Sequence, residues 1–313
     1  MTTRLQHLIT PFMLLFLLVL AFSCRKKIVT QQNVNVDTPL AIKTWRFAHV
    51  VEQNIKIKDY FKYMDSLAHT FDTLVGYKLT PHIIVRANPW LIDTLESTDY
   101  YRQKEKGIFV YDQQQLIVLK LGDTLFIPTD SIAHLIIAKQ AETVLDVNIP
   151  EFKLRIIEGN DTVRTFPVRV GQNRIRKWAD YDKKAKLRTK TGNGKIINTY
   201  FKSTYVDPVS GETHDKTKRD DGDTTLLPLM PWLEPEINGE SFGQLIHPTS
   251  NENTLGKAYS NGCIGTGEGS MWRIYYYAPL GTTVRVSYNL NVKDAVGEPV
   301  VLKDVYGKKA KNN

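Results

Sequence analysis

The chain has 313 residues, with 41 Lys and Arg against 33 Asp and Glu, a formal net charge of +8, and 42% hydrophobic residues. That length allows two domains, each large enough to bury its own core. The positive charge is interspersed along the chain rather than clustered, which suits an anionic surface and argues against nucleic acid as a partner.

Residues 1–23 carry Arg4 as their only Lys or Arg, then an apolar run from Phe12 to Phe22 that ends at Ser23-Cys24. The run is too short to cross a bilayer comfortably and reads as an export signal. Ala21-Phe22-Ser23-Cys24 resembles a bacterial lipobox, which implies lipidation of Cys24 and a membrane anchor at the cell envelope. An ordinary cleaved signal or an uncleaved anchor are the alternatives. With Cys24 acylated, the other cysteine, Cys263, has no intramolecular partner in an oxidising compartment, where a lone thiol is a liability unless it is used. Residues 24–49, opening on Arg25-Lys26-Lys27, read as a tether.

Residues 50–135 have the pattern of a small mixed α/β domain. Tyr60, Met64, Leu67, Phe71 and Leu74 recur at helical spacing between Asp59 and Gly76. Thr80-Pro81 has the form of a cap and first helical position for a second helix through Arg86, stopped at Asn88-Pro89. Strands are expected at Leu116–Leu119 and Thr124–Ile127 around a turn at Leu121-Gly122-Asp123. The order strand, helix, helix, strand is similar to a LysM-type glycan-binding module; a helper domain with no glycan site is the alternative.

From Glu142 the chain becomes strand-rich, with a meander of antiparallel strands through Val144–Ile149, Lys153–Ile157 and Thr162–Val170. A long polar segment, Tyr200–Leu227, contains Arg219-Asp220-Asp221-Gly222-Asp223 and lacks the ligand spacing of an EF-hand. It is expected to be a solvated flap beside the site. Gln244-Leu245-Ile246 reads as a short strand that presents His247 and ends at Pro248. Ser260-Asn261-Gly262 is a turn-forming triplet before Cys263, in which Gly262 can take backbone angles closed to other residues. An imidazole set against a thiol is the arrangement that activates a cysteine nucleophile, and a tight turn can aim backbone amides at a developing oxyanion.

His247, Ser260, Gly262, Cys263 and Ile264 together resemble the signature of the L,D-transpeptidase (YkuD-like) catalytic domain, and the likeness extends over residues 142–290. The resemblance implies a β-sandwich catalytic domain over 142–306; with the mixed domain read at 50–135, the chain is expected to be α+β, mainly β, and the tail at 307–313 is expected to be disordered. It implies Cys263 as nucleophile, His247 as base and acid, and the amides of Gly262 and Cys263 as oxyanion hole. Asn261 stands where the family usually has a second His, and Gly265 where it usually has an Arg that meets the substrate's carboxylate. Arg273 is the expected replacement for that Arg. Tyr259, Ser260, Asn261 and Trp232 are further substrate-binding candidates, with turn stabilisation the alternative for Ser260 and core packing for Trp232. No metal or organic cofactor is implied. The expected substrates are peptidoglycan stem peptides and the expected inhibitors are carbapenems. Hydrolysis of the same thioester, as an L,D-carboxypeptidase, and a non-catalytic wall-binding lipoprotein are the competing readings.

Overall fold

The computed structural model describes residues 44–178, 181–206 and 211–307, so the export signal, Cys24, most of the tether and the tail beyond Gly307 lie outside the described residues. The described residues belong to one compact unit.

Strand β1 (Trp45–Val50) and the two-residue β2 (Ile55–Lys56) lead into helix α1 (Ile57–Asp72). Tyr60, Met64 and Leu67 bury one face of α1, as their spacing requires. The helix stops short of Leu74, which is exposed. The Asp72 carboxylate accepts the Leu79 N–H at 2.8 Å and draws the chain back on itself. Helix α2 (Pro81–Ala87) begins with Pro81 in its first turn, and the Thr80 hydroxyl accepts the Ile83 N–H. Pro89 does end α2, but it also opens helix α3 (Pro89–Glu96), followed by α4 (Tyr100–Glu105). Strands β3 (Ile117–Leu119) and β4 (Thr124–Pro128) come next, then helix α5 (Asp130–Glu142). β1 pairs with β4 and β2 with β3, both antiparallel. The region therefore has two strand pairs and five α-helices, where the sequence pattern suggests two strands and two helices. β1 has no buried face and α5 buries only Ala133 and Ile136, so neither writes a clear period into the sequence.

The remaining strands run in chain order as β5 (Thr143–Asn148), β6 (Lys153–Glu158), β7 (Asp161–Gly171), β8 (Ile175–Trp178), β9 (Tyr181–Lys186) and β10 (Gly192–Lys202). Two small hairpins follow, β11 (Tyr205–Val206) with β12 (Thr213–His214), and β13 (Lys216–Lys218) with β14 (Thr224–Leu226). Then come β15 (Met230–Ile237), β16 (Glu240–Ser241), β17 (Ile246–Pro248), β18 (Ala258–Ser260), β19 (Ile264–Thr266), helix α6 (Glu268–Tyr277) and β20 (Thr283–Ser287). Strands β5, β6 and β7 make the expected meander. The main sheet runs β10-β20-β5-β6-β7-β19-β17-β15-β16, and β10 also pairs with β15. That last pairing closes the sheet on itself, so the mainly β core is barrel- or sandwich-like.

Helix α6 follows directly on β19 and is gripped by the amino-terminal helices. The Tyr60 and Tyr276 hydroxyls meet at 2.7 Å in the interior, and Trp272, 1% exposed, stacks on Phe61. Arg273 pairs with Asp93 and Glu96 of α3. Its guanidinium is thus engaged in holding α3 to α6, which corrects its expected role as a substrate anchor.

The acidic segment at 219–223 is likewise not a free flap. The Arg219 guanidinium is fully buried and pairs with the equally buried Glu268 at the start of α6. It also donates to Gln113 Oε1 at 2.9 Å and to Thr225 Oγ1 at 2.8 Å, while Gln113 donates to Glu268. Tyr100 donates to Asp221, and Lys104 pairs with Asp221 and Asp223. A charge this deep is tolerated because nearly every donor and acceptor has a partner.

Removing one partner of that buried pair strands the other. Arg219→Ala is expected to cost about 3–5 kcal/mol in a denaturant titration, and the double change Arg219→Met with Glu268→Leu about 1 kcal/mol or less. Equal losses in the two variants would mean that packing rather than the uncompensated charge dominates. The His82 ring packs against Tyr275 with centroids 4.6 Å apart, and burial depresses its pKa from 6.5 to about 4. The fold therefore holds it neutral, while the unfolded chain takes up a proton below 6.5. Its contribution is complete above pH 6.5 and is lost as the pH falls towards 4, at up to about 1.4 kcal/mol per unit. Unfolding titrations between these limits should show a shallower acid slope for His82→Phe than for the wild type.

Candidate active site

β17 and β19 run parallel, with Ile246 opposite Ile264 and His247 opposite Gly265. Ile246 and Ile264 are buried in the core. Side chains alternate along a strand, so His247 and Gly265 share the opposite face, and Cys263, two residues before Gly265, turns to that face with them. His247 and Cys263 thus come from adjacent, hydrogen-bonded segments. Both line one cleft of about 1850 Å³, together with Trp232, Tyr259, Ser260 and Asn261.

The His247 ring is fixed on two sides. Its Nδ1 lies 2.7 Å from the Pro248 carbonyl oxygen, which can only accept, so Nδ1 carries the proton and Nε2 keeps a free lone pair. Trp232 stacks on the ring with centroids 4.4 Å apart and planes 13° from parallel. Trp232 is thus both a wall of the cleft and a support for the imidazole. Burial, with the Arg169 cation second, pushes the His247 pKa down to about 3.

Gly262 has φ +119, and a Cβ there would lie 2.6 Å from the Gln244 amide nitrogen, so only glycine fits this turn. Thr189 holds the turn from behind, donating to the Gly262 carbonyl at 2.9 Å while accepting the Gly171 N–H at 2.8 Å. Ser260 donates to the Cys263 carbonyl at 2.6 Å and accepts the Gly262 N–H at 3.2 Å. Ser260 therefore braces the turn. The Gly262 amide, expected in the oxyanion hole, is committed to Ser260. The Cys263 sulfur accepts the Leu245 N–H at 3.4 Å. Burial nevertheless raises its pKa, against the opposing pull of that N–H and of Arg169. The resting pair is thus a neutral thiol and a neutral imidazole rather than a preformed thiolate.

Of the other candidates, Asn261 is half-buried and Tyr259 is 58% exposed at the cleft's edge. The cation that lies beside Gly265 is Arg169 on β7, not Arg273. Gly265 pairs with Arg169 across the antiparallel β19–β7 ladder. The Arg169 side chain lies over it: a Cβ at Gly265 would be 2.6 Å from Arg169 Nε and 2.8 Å from its Cγ. Arg169 also donates to Thr254 Oγ1 at 3.2 Å and lines the cleft with Cys263. Its sequence signal was a lone Arg between Val168 and Val170, both fully buried, which turns Arg169 to the other face of the sheet. Among the described residues no group of His, Cys, Asp and Glu gathers to hold a metal.

A family model described as the L,D-transpeptidase catalytic domain, YkuD, matches residues 142–286, just under half of the chain. No curated protein matches. Among solved structures, the L,D-transpeptidase (residues 123–326) of Xylanimonas cellulosilytica DSM 15894 is 11% identical, with 76% of this chain and 97% of that one covered and a TM-score of 0.34. An L,D-transpeptidase from Mycobacterium tuberculosis H37Rv is 15% identical over 47% of this chain and 57% of its own, with a TM-score of 0.30. LdtMt1 in complex with imipenem is 15% identical over 46% and 58% of the two chains, with a TM-score of 0.30. This chain thus spans less than two thirds of both of those structures. Residues 142–286, which include Cys263 and His247, are thus similar to the L,D-transpeptidase catalytic domain.

A thiol held neutral by burial should be alkylated by iodoacetamide slowly at neutral pH and faster as the pH rises into the alkaline range. Arg169 favours the thiolate, so Arg169→Gln should displace that rise to still higher pH. A rate already at its plateau near pH 6 would mean a preformed ion pair.

Proposed function

We propose that this chain is a cysteine L,D-transpeptidase that forms 3→3 cross-links between peptidoglycan stem peptides. The observation that carries the reading is the shared sheet face of Cys263 and His247, inside the matched catalytic domain, with His247 Nε2 free to take a proton. The Cys263 sulfur attacks the carbonyl of the third stem residue as His247 Nε2 accepts the thiol proton. The Cys263 amide receives the developing oxyanion. His247 then returns the proton to the departing nitrogen, so that D-Ala leaves as a free amine and a thioester remains. An acceptor amine attacks that thioester, its proton passes to His247, and the thiol is restored with a new amide bond. The depressed His247 pKa fits a base that stays unprotonated at neutral pH and binds the proton only as charge develops on sulfur. The export signal and Cys24 support action at the cell envelope, on a lipid anchor.

Purified disaccharide-tetrapeptide incubated with the mature chain should give a dimer that has lost one D-Ala, read by mass spectrometry. Imipenem should add one covalent equivalent to the protein. Cys263→Ala should abolish both, and His247→Ala should lower dimer formation by about 10²-fold or more. Tripeptide without dimer would make the enzyme a hydrolase, and the absence of any acyl adduct would remove the enzymatic reading.

A further inference from the structure

The charge of this chain is not spread evenly over its surface. The cleft that contains Cys263 is lined by eight Lys and Arg side chains and, among the described residues, by no Asp or Glu, although the chain carries 33 of them. The cations come from separate segments: Arg169 from β7, Arg174 after it, Lys190 before β10, Lys202 at the end of β10, and Lys216 and Lys218 from β13. A cleft walled by one sign of charge focuses its field on what enters, and repels a ligand of that sign.

Two of these cations stand close to the reacting pair. Arg169 crosses Gly265 on the face shared by His247 and Cys263, and its buried Nε has no hydrogen-bond partner. An arginine keeps its charge in such a setting and presents donors matched to a carboxylate. Lys202 sits over Trp232, its Nζ 5.6 Å from the ring centroid, on the ring system that stacks on His247. The remaining cations extend along a cleft of about 1850 Å³, larger than a site for one small molecule, so that an extended ligand meets several of them.

We propose that this cleft selects an anionic acyl donor, a stem peptide with free carboxylates on both sides of the scissile amide, and that Arg169 holds the carboxylate nearest the reacting carbonyl. The proposal rests on the transpeptidase reading and adds its substrate class: donors whose carboxylates are amidated are poor substrates. Arg169 binds substrate here, and Gly265 is the vacancy that lets it reach across from the neighbouring strand.

The test compares two synthetic donor tetrapeptides that differ only in whether their α- and side-chain carboxylates are free or amidated, with acylation of Cys263 followed by intact mass. The amidated donor should have a kcat/KM about tenfold lower or worse, chiefly through KM. Raising KCl from 50 to 500 mM should slow the free-acid donor several-fold and leave the amidated one nearly unchanged. Arg169→Gln should lose most of the discrimination and Arg169→Lys should recover part of it; because the wild-type donor and salt comparisons need no variant, a folding defect in either protein leaves the test intact. Equal kcat/KM for the two donors with no salt dependence overturns the proposal while leaving the transpeptidase reading in place. Failure of both donors and of imipenem to acylate Cys263 overturns the two together.

Discussion

The parallel pairing of β17 with β19 is the constraint on which the site depends. Its register buries Ile246 against Ile264, and alternation then turns His247 and Cys263 to the cleft. A slip of one residue would send the imidazole into the core and an isoleucine into the cleft. Both strands are short, so the register is held from outside the pair as well. Ile264 N–H donates to the Leu245 carbonyl and Thr249 N–H to that of Thr266, while Thr189 grips the Gly262 carbonyl. Gly171 lets that support approach, since a Cβ there would fall 2.0 Å from the Leu187 carbonyl oxygen.

The amino-terminal region acts on the same site at one remove. Helix α6 leaves β19 directly, and α1, α2 and α3 hold it through Tyr60, His82, Asp93 and Glu96. Through Gln113, Tyr100 and Lys104 the region also holds the β13–β14 hairpin, whose Lys216 and Lys218 border the cleft. Glu268 joins both supports, since it caps neither helix nor hairpin alone but pairs with Arg219 at the seam. The helices thus give the strands of the candidate site a rigid backing, whatever further ligand their outer surface meets.

Electrostatics at the site divides into a buried part and an open part. Burial favours the neutral thiol and the neutral imidazole, so in the proposed reaction charge separation coincides with attack on the carbonyl. Around them the cations remain exposed to the cleft, where an anionic ligand would exclude water and strengthen each contact. Arg169 belongs to both parts: it favours thiolate over thiol and opposes a proton on His247.

The sequence by itself determined the candidate pair, His247 and Cys263, and the local elements. His247 before Pro248, the turn Ser260-Asn261-Gly262 before Cys263, the α1 stripe and the Thr80-Pro81 cap are all written in residues close along the chain, where propensity and steric limits act. Only the tertiary structure decided which distant residues meet. Arg273 and Arg169 are equally plain arginines in sequence; the packing of α6 on α3 spends one on Asp93 and Glu96, and the antiparallel register of β7 with β19 lays the other across Gly265. Arg219 reads as a solvated loop residue until Glu268, 49 positions away, is brought under it. Ser260 is free to face substrate until the folded turn gives it both the Gly262 amide and the Cys263 carbonyl. The physical reason is common to these cases: a side chain's charge and hydrogen-bonding capacity are local properties, but the partner that consumes them is chosen by strand register and helix packing, which depend on the whole core at once.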